Sequence, residues 1–327
     1  MLVAVTGASG FLGRATVACL LKHGFDVRAL VRKTSNTEWL EERGVPYAIA
    51  PLAPDGIHAI RDAVEGCDGV VHLAGGGRVR RASDFLANNT ATTEALVAGI
   101  NAAKRRPQTF VFVSSMAARG PSPSALRAES SVEDAPITAY GRAKLAAEYA
   151  LRHLPKDTRV SILRPPGIYG PGDDRMLPIY RAAQRGLIPL PAAGRTASFI
   201  YVTDCARAIV SALGESEMRD PMYVEDGNAR ALPDTANAIA HALGVQARIV
   251  RVPKLILTIA ATIAETSAKL RNRPLLLTRD KVRDLTQAHW VCDSTPFRDA
   301  TGWTHRIGFE EGVERTVHDY RQRGWIK

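Results

Sequence analysis

The sequence predicts an α/β fold: a doubly wound parallel sheet followed by a smaller, interleaved C-terminal part. Three observations carry this. Continuous apolar runs recur through the first half, as expected of strands buried on both faces. Helical stretches separate several of these runs, which makes successive strands parallel. The first run leads directly into three glycines spaced three apart, Gly7, Gly10 and Gly13.

The elements follow in order. "LVAVT" at 2–6 is a strand, followed by a helix near 11–22 and a second strand, "DVRALV", at 26–31. Further strands are read at 69–74 ("GVVHLA"), 109–115 ("TFVFVSS") and 159–165 ("RVSILRP"), with helices over 92–103 and 139–153. After Pro165 this alternation gives way to loops rich in proline, glycine and arginine up to about Ser198. Residues 1–167 are read as a dinucleotide-binding domain, to which part of 199–225 returns, and 168–327 mainly as a substrate-binding domain. The apolar stretch "VPKLILTIAATIAETSAKL" at 252–270 reads as a helix. It is expected to pack on the substrate-binding part; the alternatives are peripheral membrane contact and a cap over an apolar substrate.

Composition excludes several classes. With 46% hydrophobic and 23% charged residues the chain is globular rather than disordered. A net charge of +10 admits an anionic partner, yet the cations are dispersed and aromatics make up only 6%, without the basic–aromatic interleaving of nucleic-acid binders. Cys19, Cys67, Cys205 and Cys292 form no C-x-x-C pair, so no disulfide framework and no metal site is expected, and a cytoplasmic location is. The apolar opening is too short for a signal peptide, and no run reaches the roughly 18 apolar residues of a membrane span.

A glycine-rich turn between a first strand and a first helix is a dinucleotide fingerprint. Gly7 would allow the tight turn, Gly10 the approach of a pyrophosphate, and Gly13 close helix–strand packing, with the helix N-terminus facing the phosphates. At the end of the second strand an NAD site would carry an acid for the ribose hydroxyl. Here Val31 stands at that position, followed by Arg32 and Lys33. Two cations without a carboxylate favour a 2′-phosphate, hence NADP(H), with NAD(H) as the alternative.

"YGRAK" places Tyr140 and Lys144 four apart on one helix face. A nearby ammonium would favour the phenolate and bring the tyrosine toward proton transfer near neutrality. Ser115, ending a strand 25 residues before Tyr140, could hydrogen-bond a reacting oxygen.

Together these stretches resemble the extended short-chain dehydrogenase/reductase superfamily: NAD-dependent epimerases, dehydratases and 3β-hydroxysteroid dehydrogenase-like enzymes. The resemblance covers essentially the whole chain. "TGASGFLG" is similar to its cofactor loop, "VVHLAG" to its fourth-strand motif, "VSS" to its serine strand, "YGRAK" to its Y-x-x-x-K, and "LRPPGIYGPGD" at 163–173 to the stretch beside the nicotinamide. It implies a Rossmann domain, with Tyr140 as general acid/base, Lys144 as its partner and ribose ligand, and Ser115 orienting the substrate oxygen. Asn89 would support Lys144 through a helix distortion and a water, with Asn88 as its competitor. Cofactor contacts implied alongside the glycines are Ser9, Phe11, Leu12, Leu73, Ala74, Gly75, Pro165 and Ile168. A homodimer formed through the helix of Tyr140 is likewise implied.

Departures from the family pattern narrow the reading. The aspartate that usually meets adenine is replaced by Ala50 and Pro51, leaving Leu52 to offer a backbone contact. Where sugar-nucleotide members carry an arginine for the diphosphate stands Ala197, with Arg195 nearby as a substitute. The stretch "LTQAHWVCDSTPFRDATGW" at 285–303 is similar to the sterol-type branch. The expected activity is redox of a secondary alcohol or ketone on an apolar, sterol-like or dihydroflavonol-like small molecule. An NDP-sugar epimerase or dehydratase and a non-catalytic NADP-binding regulator are the alternatives. Arg78, Arg80 and Arg81 are expected at the mouth of the site, as a solvated loop or as ligands of a substrate carboxylate or phosphate. His72 and Cys67 are read as structural.

Overall fold

The computed structural model describes residues 1–76, 84–124, 133–192, 194–214, 220–271 and 278–327. The first six strands are β1 (Leu2–Thr6), β2 (Asp26–Val31), β3 (Tyr47–Ile49), β4 (Gly69–His72), β5 (Thr109–Val113) and β6 (Arg159–Arg164). They are followed by β7 (Gly167–Tyr169), β8 (Leu187–Pro191), β9 (Thr196–Ala197), β10 (Phe199–Tyr201) and β11 (Met222–Tyr223). Seven of these form one Rossmann-like parallel sheet in the order β11-β6-β5-β4-β1-β2-β3. The buried apolar runs explain it: every residue of β4 and β5 is buried, as a sheet covered on both faces requires. Strand order reverses between β1 and β4, and the segments that leave these two strands open the crevice where such sheets bind ligands.

After β10, the helix Val202–Ala212 and β11 return to this sheet. β11 joins its edge beside β6, and the helix Val202–Ala212 packs on the helix Phe11–Lys22. Ile200, Cys205, Ile209 and Val224 share a core with Val3, Val5 and Leu20. A second core gathers Tyr180, Ile188, Ile239, Phe309 and Tyr320.

The expectation of loops between Pro165 and Ser198 is overturned. This stretch holds β7, the helix Leu177–Gln184 and β8. Pro178 sits in the helix's first turn, where a missing N–H costs nothing, and "LIPLP" alternates exposed and buried residues. Prolines at an edge strand and at a helix start were legible only as breakers. The helix at 252–270 exists as Lys254–Arg271, and among its described side chains, up to Ser267, it turns only one side, marked by Ala261, to the protein.

Candidate active site

The glycine loop is built without side chains because the backbone needs the room. Gly7 has φ +69°, and a Cβ there would stand 2.9 Å from the backbone of Leu73 and Ala74. A Cβ on Gly13 would run into the Gly7 carbonyl oxygen. Gly10 caps the helix Phe11–Lys22 with no side-chain hydrogen bond, so the helix N-terminus faces the loop with free N–H groups.

β5 stops at Val113, two residues short of the strand read from the sequence, and Ser115 just beyond it caps a short 3₁₀ turn, its Oγ accepting from the Ala117 amide at 3.2 Å. Thr138 caps the helix Ala139–Ala150 by accepting from the Gly141 amide at 3.0 Å, which sets Tyr140 in the first turn and Lys144 one turn on. Tyr140 lies beside Ser115, which pulls on its hydroxyl, and its ring leans on Phe85 with centroids 5.6 Å apart. Burial lifts the Tyr140 hydroxyl above the usual tyrosine range, against the opposing pull of Ser115 and Arg175. The expected lowering by Lys144 does not occur here. The lysine's Nζ turns instead to the Val113 carbonyl at 3.0 Å, over the ring of Phe112. Burial pulls Lys144 down to about 8, opposed by Glu148.

Asn89, not Asn88, faces this place: Asn89 is buried and Asn88 exposed. Asn89 lies in a π-helical turn, Leu86–Ala91, just before the helix Thr92–Ala102. Its Nδ2 donates to the Phe85 carbonyl at 2.9 Å, while its buried Oδ1 has no partner among the described residues. A Cβ on Gly75 would stand 2.5 Å from that oxygen and 3.1 Å from Lys144 Nζ, so the two groups border one small space.

His72 reaches the same region through a hydrogen-bond chain. Thr6 Oγ1 accepts from the amides of Leu73 and Ala74, each at 3.1 Å, so its own proton goes to His72 Nδ1 at 2.7 Å. His72 Nε2 must then carry the ring proton and donate to Thr93 Oγ1 at 3.0 Å, which donates to the Asn89 carbonyl at 2.8 Å. Burial, then the Lys144 ammonium, press His72 down to about 3, so the ring is neutral. Sequence showed no partner for this histidine; its two threonines lie 66 and 21 residues away.

Other neighbours of the site escape sequence reading. Arg164, at the end of β6, is bidentate to Asp134 at 2.7 Å twice and bonds Glu148 at 2.9 and 2.5 Å; Ser114 also donates to Glu148. This buried cluster ties the strand end of Ser115 to the helix of Tyr140. The one local hint was a glutamate in the small-residue stretch "KLAAEYA". Arg175 lies over the ring of Phe11 at 5.3 Å and acts electrostatically on Tyr140, which joins the glycine loop to the tyrosine.

The remaining named residues are placed as follows. Arg32 and Lys33 are exposed beyond β2, while Val31 is buried. Leu52 and Ile168 are partly buried against the sheet's two cores. The Pro165 carbonyl accepts from the Met116 amide at 3.0 Å. Arg195 donates from Nη1 to the Asp284 carbonyl at 3.2 Å, while its buried Nε has no partner among the described residues. Arg78, Arg80 and Arg81 lie outside the described residues.

The model of the NAD dependent epimerase/dehydratase family matches residues 3–224. The chain belongs to the NAD-dependent epimerase/dehydratase family. As a member it is an NAD(P)-dependent enzyme of the extended short-chain dehydrogenase/reductase group. It is 30% identical over 331 residues to a ceramide reductase of Caulobacter vibrioides, covering 99% of this chain and 96% of that one. It is 24% identical over 332 residues to a 2-alkyl-3-oxoalkanoate reductase of Shewanella oneidensis, covering 95% and 84%. In fold it is similar to a UDP-glucose 4-epimerase of Thermus thermophilus solved with NAD, with a TM-score of 0.77, 23% identity and coverage of 98% and 99%. The family's dinucleotide fits the residues present: the loop of Gly7–Gly13 leaves backbone rather than side chains at the helix N-terminus, and the space bordered by Gly75, Asn89 and Lys144 offers an acceptor and a cation.

Proposed function

We propose that this enzyme reduces a ketone to a secondary alcohol on an apolar substrate, and runs the reverse oxidation, with NADP(H) as the preferred cofactor and Ser115, Tyr140 and Lys144 as its reacting set. The carrying observation is Tyr140, partly buried beside Ser115 and one turn before Lys144, with its hydroxyl raised above the usual tyrosine range and so protonated at neutral pH. A tyrosine in that state is a general acid, which suits reduction: its proton goes to the carbonyl oxygen. The Ser115 hydroxyl donates to the same oxygen as charge develops on it. The nicotinamide supplies the hydride when bound. Lys144 and Asn89 would hold the adjoining ribose, and the Gly7–Gly13 loop the pyrophosphate. Arg32 and Lys33, with no carboxylate at Val31, would take the 2′-phosphate.

Two relatives named for a ceramide and an alkyl oxoalkanoate support an apolar, lipid-like substrate class. The sugar-nucleotide alternative has a relative of its own, a dTDP-6-deoxy-L-talose 4-dehydrogenase of Kitasatospora kifunensis 28% identical over 266 residues, but Ala197 stands where its diphosphate arginine is expected and Arg195 donates to the Asp284 carbonyl.

Nicotinamide absorbance is followed with ceramide-type ketones, ketosteroids, dihydroflavonols and UDP-sugars. Turnover of an apolar ketone is expected, falling by about 10²–10⁴ in Tyr140→Phe. Arg32→Ala is expected to raise the KM for NADPH about tenfold and leave that for NADH nearly unchanged, as loss of one charge-assisted phosphate contact implies. Isomerisation of a UDP-sugar, with no apolar ketone turned over, would overturn the proposal.

A further inference from the structure

The helix Lys254–Arg271 is inside out. Leu255, Ile256, Ile259 and Ile263 are 70%, 55%, 51% and 64% exposed, whereas the buried side is marked by Ala261. Around the helix these four share one broad outer arc with Ala260, Thr262, Thr266 and Ser267. From 255 to 267 the sole charged residue is Glu265, which is partly buried and paired with Arg279 at 2.8 Å. A solvent face is normally the polar one. The hydroxyls on this arc are also satisfied internally: Thr262 and Thr266 each donate to the carbonyl four residues back, at 2.8 and 2.9 Å. Entering an apolar medium would thus strip little water from them.

Cations stand where the chain enters this helix. Arg248 and Arg251 of the strand Arg248–Val252, and Lys254 at the helix start, are all exposed. No helix among the described residues is long and apolar enough to cross a membrane. We infer that this helix lies in the surface of an anionic lipid bilayer, with Leu255, Ile256, Ile259 and Ile263 among the acyl chains and Arg248, Arg251 and Lys254 on the phosphates. The charges decide among occupants. A second copy would bring another basic edge on a chain of net charge +10, and four aliphatic side chains cover on the order of a few hundred Å², short of the roughly 800 Å² per partner of a stable interface. The inference does not rest on the redox assignment.

The test is flotation of the whole chain with vesicles of phosphatidylcholine alone or mixed with phosphatidylglycerol. Binding to the mixed vesicles is expected, weakening as salt rises. Ile259→Asp with Ile263→Asp is expected to lower binding at least tenfold. Arg251→Glu with Lys254→Glu should lower it by about fivefold or more for each cation changed. Unfolding midpoints and turnover of a dispersed substrate stay as in the wild type, since none of these residues is in the core or the reacting set. Equal flotation with both vesicle types, no flotation with either, or unchanged binding in the Asp pair would each overturn the proposal. So would a dimer in sedimentation that the Asp pair dissociates while vesicles remain unbound, which would identify the face as self-association.

Discussion

The helices Phe11–Lys22 and Lys254–Arg271 are both rich in small and aliphatic residues, and they turn them in opposite directions. The first buries Gly13, Thr16, Val17 and Leu20 against the sheet and the helix Val202–Ala212. The second sends Leu255, Ile256, Ile259 and Ile263 outward. Apolar content therefore foretells a helix but not where its apolar face goes. The first helix packs chiefly on the helix Val202–Ala212, which the fold brings to it from far along the chain, whereas the second rests on the helix Arg279–Leu285 that follows it in sequence.

This contrast can be broken or sharpened by experiment. The largest effect lies inside the sheet, at His72 of β4. Its pKa of about 3 in the fold is depressed from 6.5, so the folded state binds fewer protons in that interval. Stability is complete above about 6.5 and falls as pH drops toward 3, by roughly 4–5 kcal/mol at about 1.36 kcal/mol per unit. Urea midpoints across this range should fall steeply in the wild type and less in His72→Gln; equal slopes would remove His72 as the cause. A smaller effect is expected at Gly13→Ala, whose added carbon meets the Gly7 carbonyl: about 1–3 kcal/mol of stability by overpacking, with weaker dinucleotide binding by calorimetry. Smallest is Ile259→Thr on the outer helix, which should shift stability by no more than about 0.5 kcal/mol. A loss comparable to that at Gly13 would mean the outer face is packed after all, and the contrast would collapse.

What was legible in the sequence follows the same line. The strands, the glycine turn and the Tyr140–Lys144 spacing are local patterns, and the fold brings Ser115 to Tyr140 and Asn89 to Lys144. What was not legible depends on contacts between distant residues. Arg164 meets Asp134 across 30 positions, and Arg175 reaches Phe11 from the far side of the crevice. The direction of the Tyr140 shift was misread for a related reason. Spacing places an ammonium near the phenol but cannot show that Nζ has turned to Val113 or that burial outweighs the charges around the phenol. The short elements between 167 and 191 were hidden by prolines that mark an edge and a helix start rather than a loop.

The hydrogen-bond chain from Thr6 to Asn89 has a polarity. Two backbone amides occupy the Thr6 oxygen from one side, so the string of protons runs from Thr6 through the imidazole to Thr93 and cannot reverse without stranding Leu73 or Ala74. A single tautomer leaves the two ring nitrogens of His72 magnetically unlike, one bare and one protonated. In a chain labelled with ¹⁵N-histidine, that pair of resonances would report whether β1, β4 and the distorted helix are in register, read from the resting protein without any turnover.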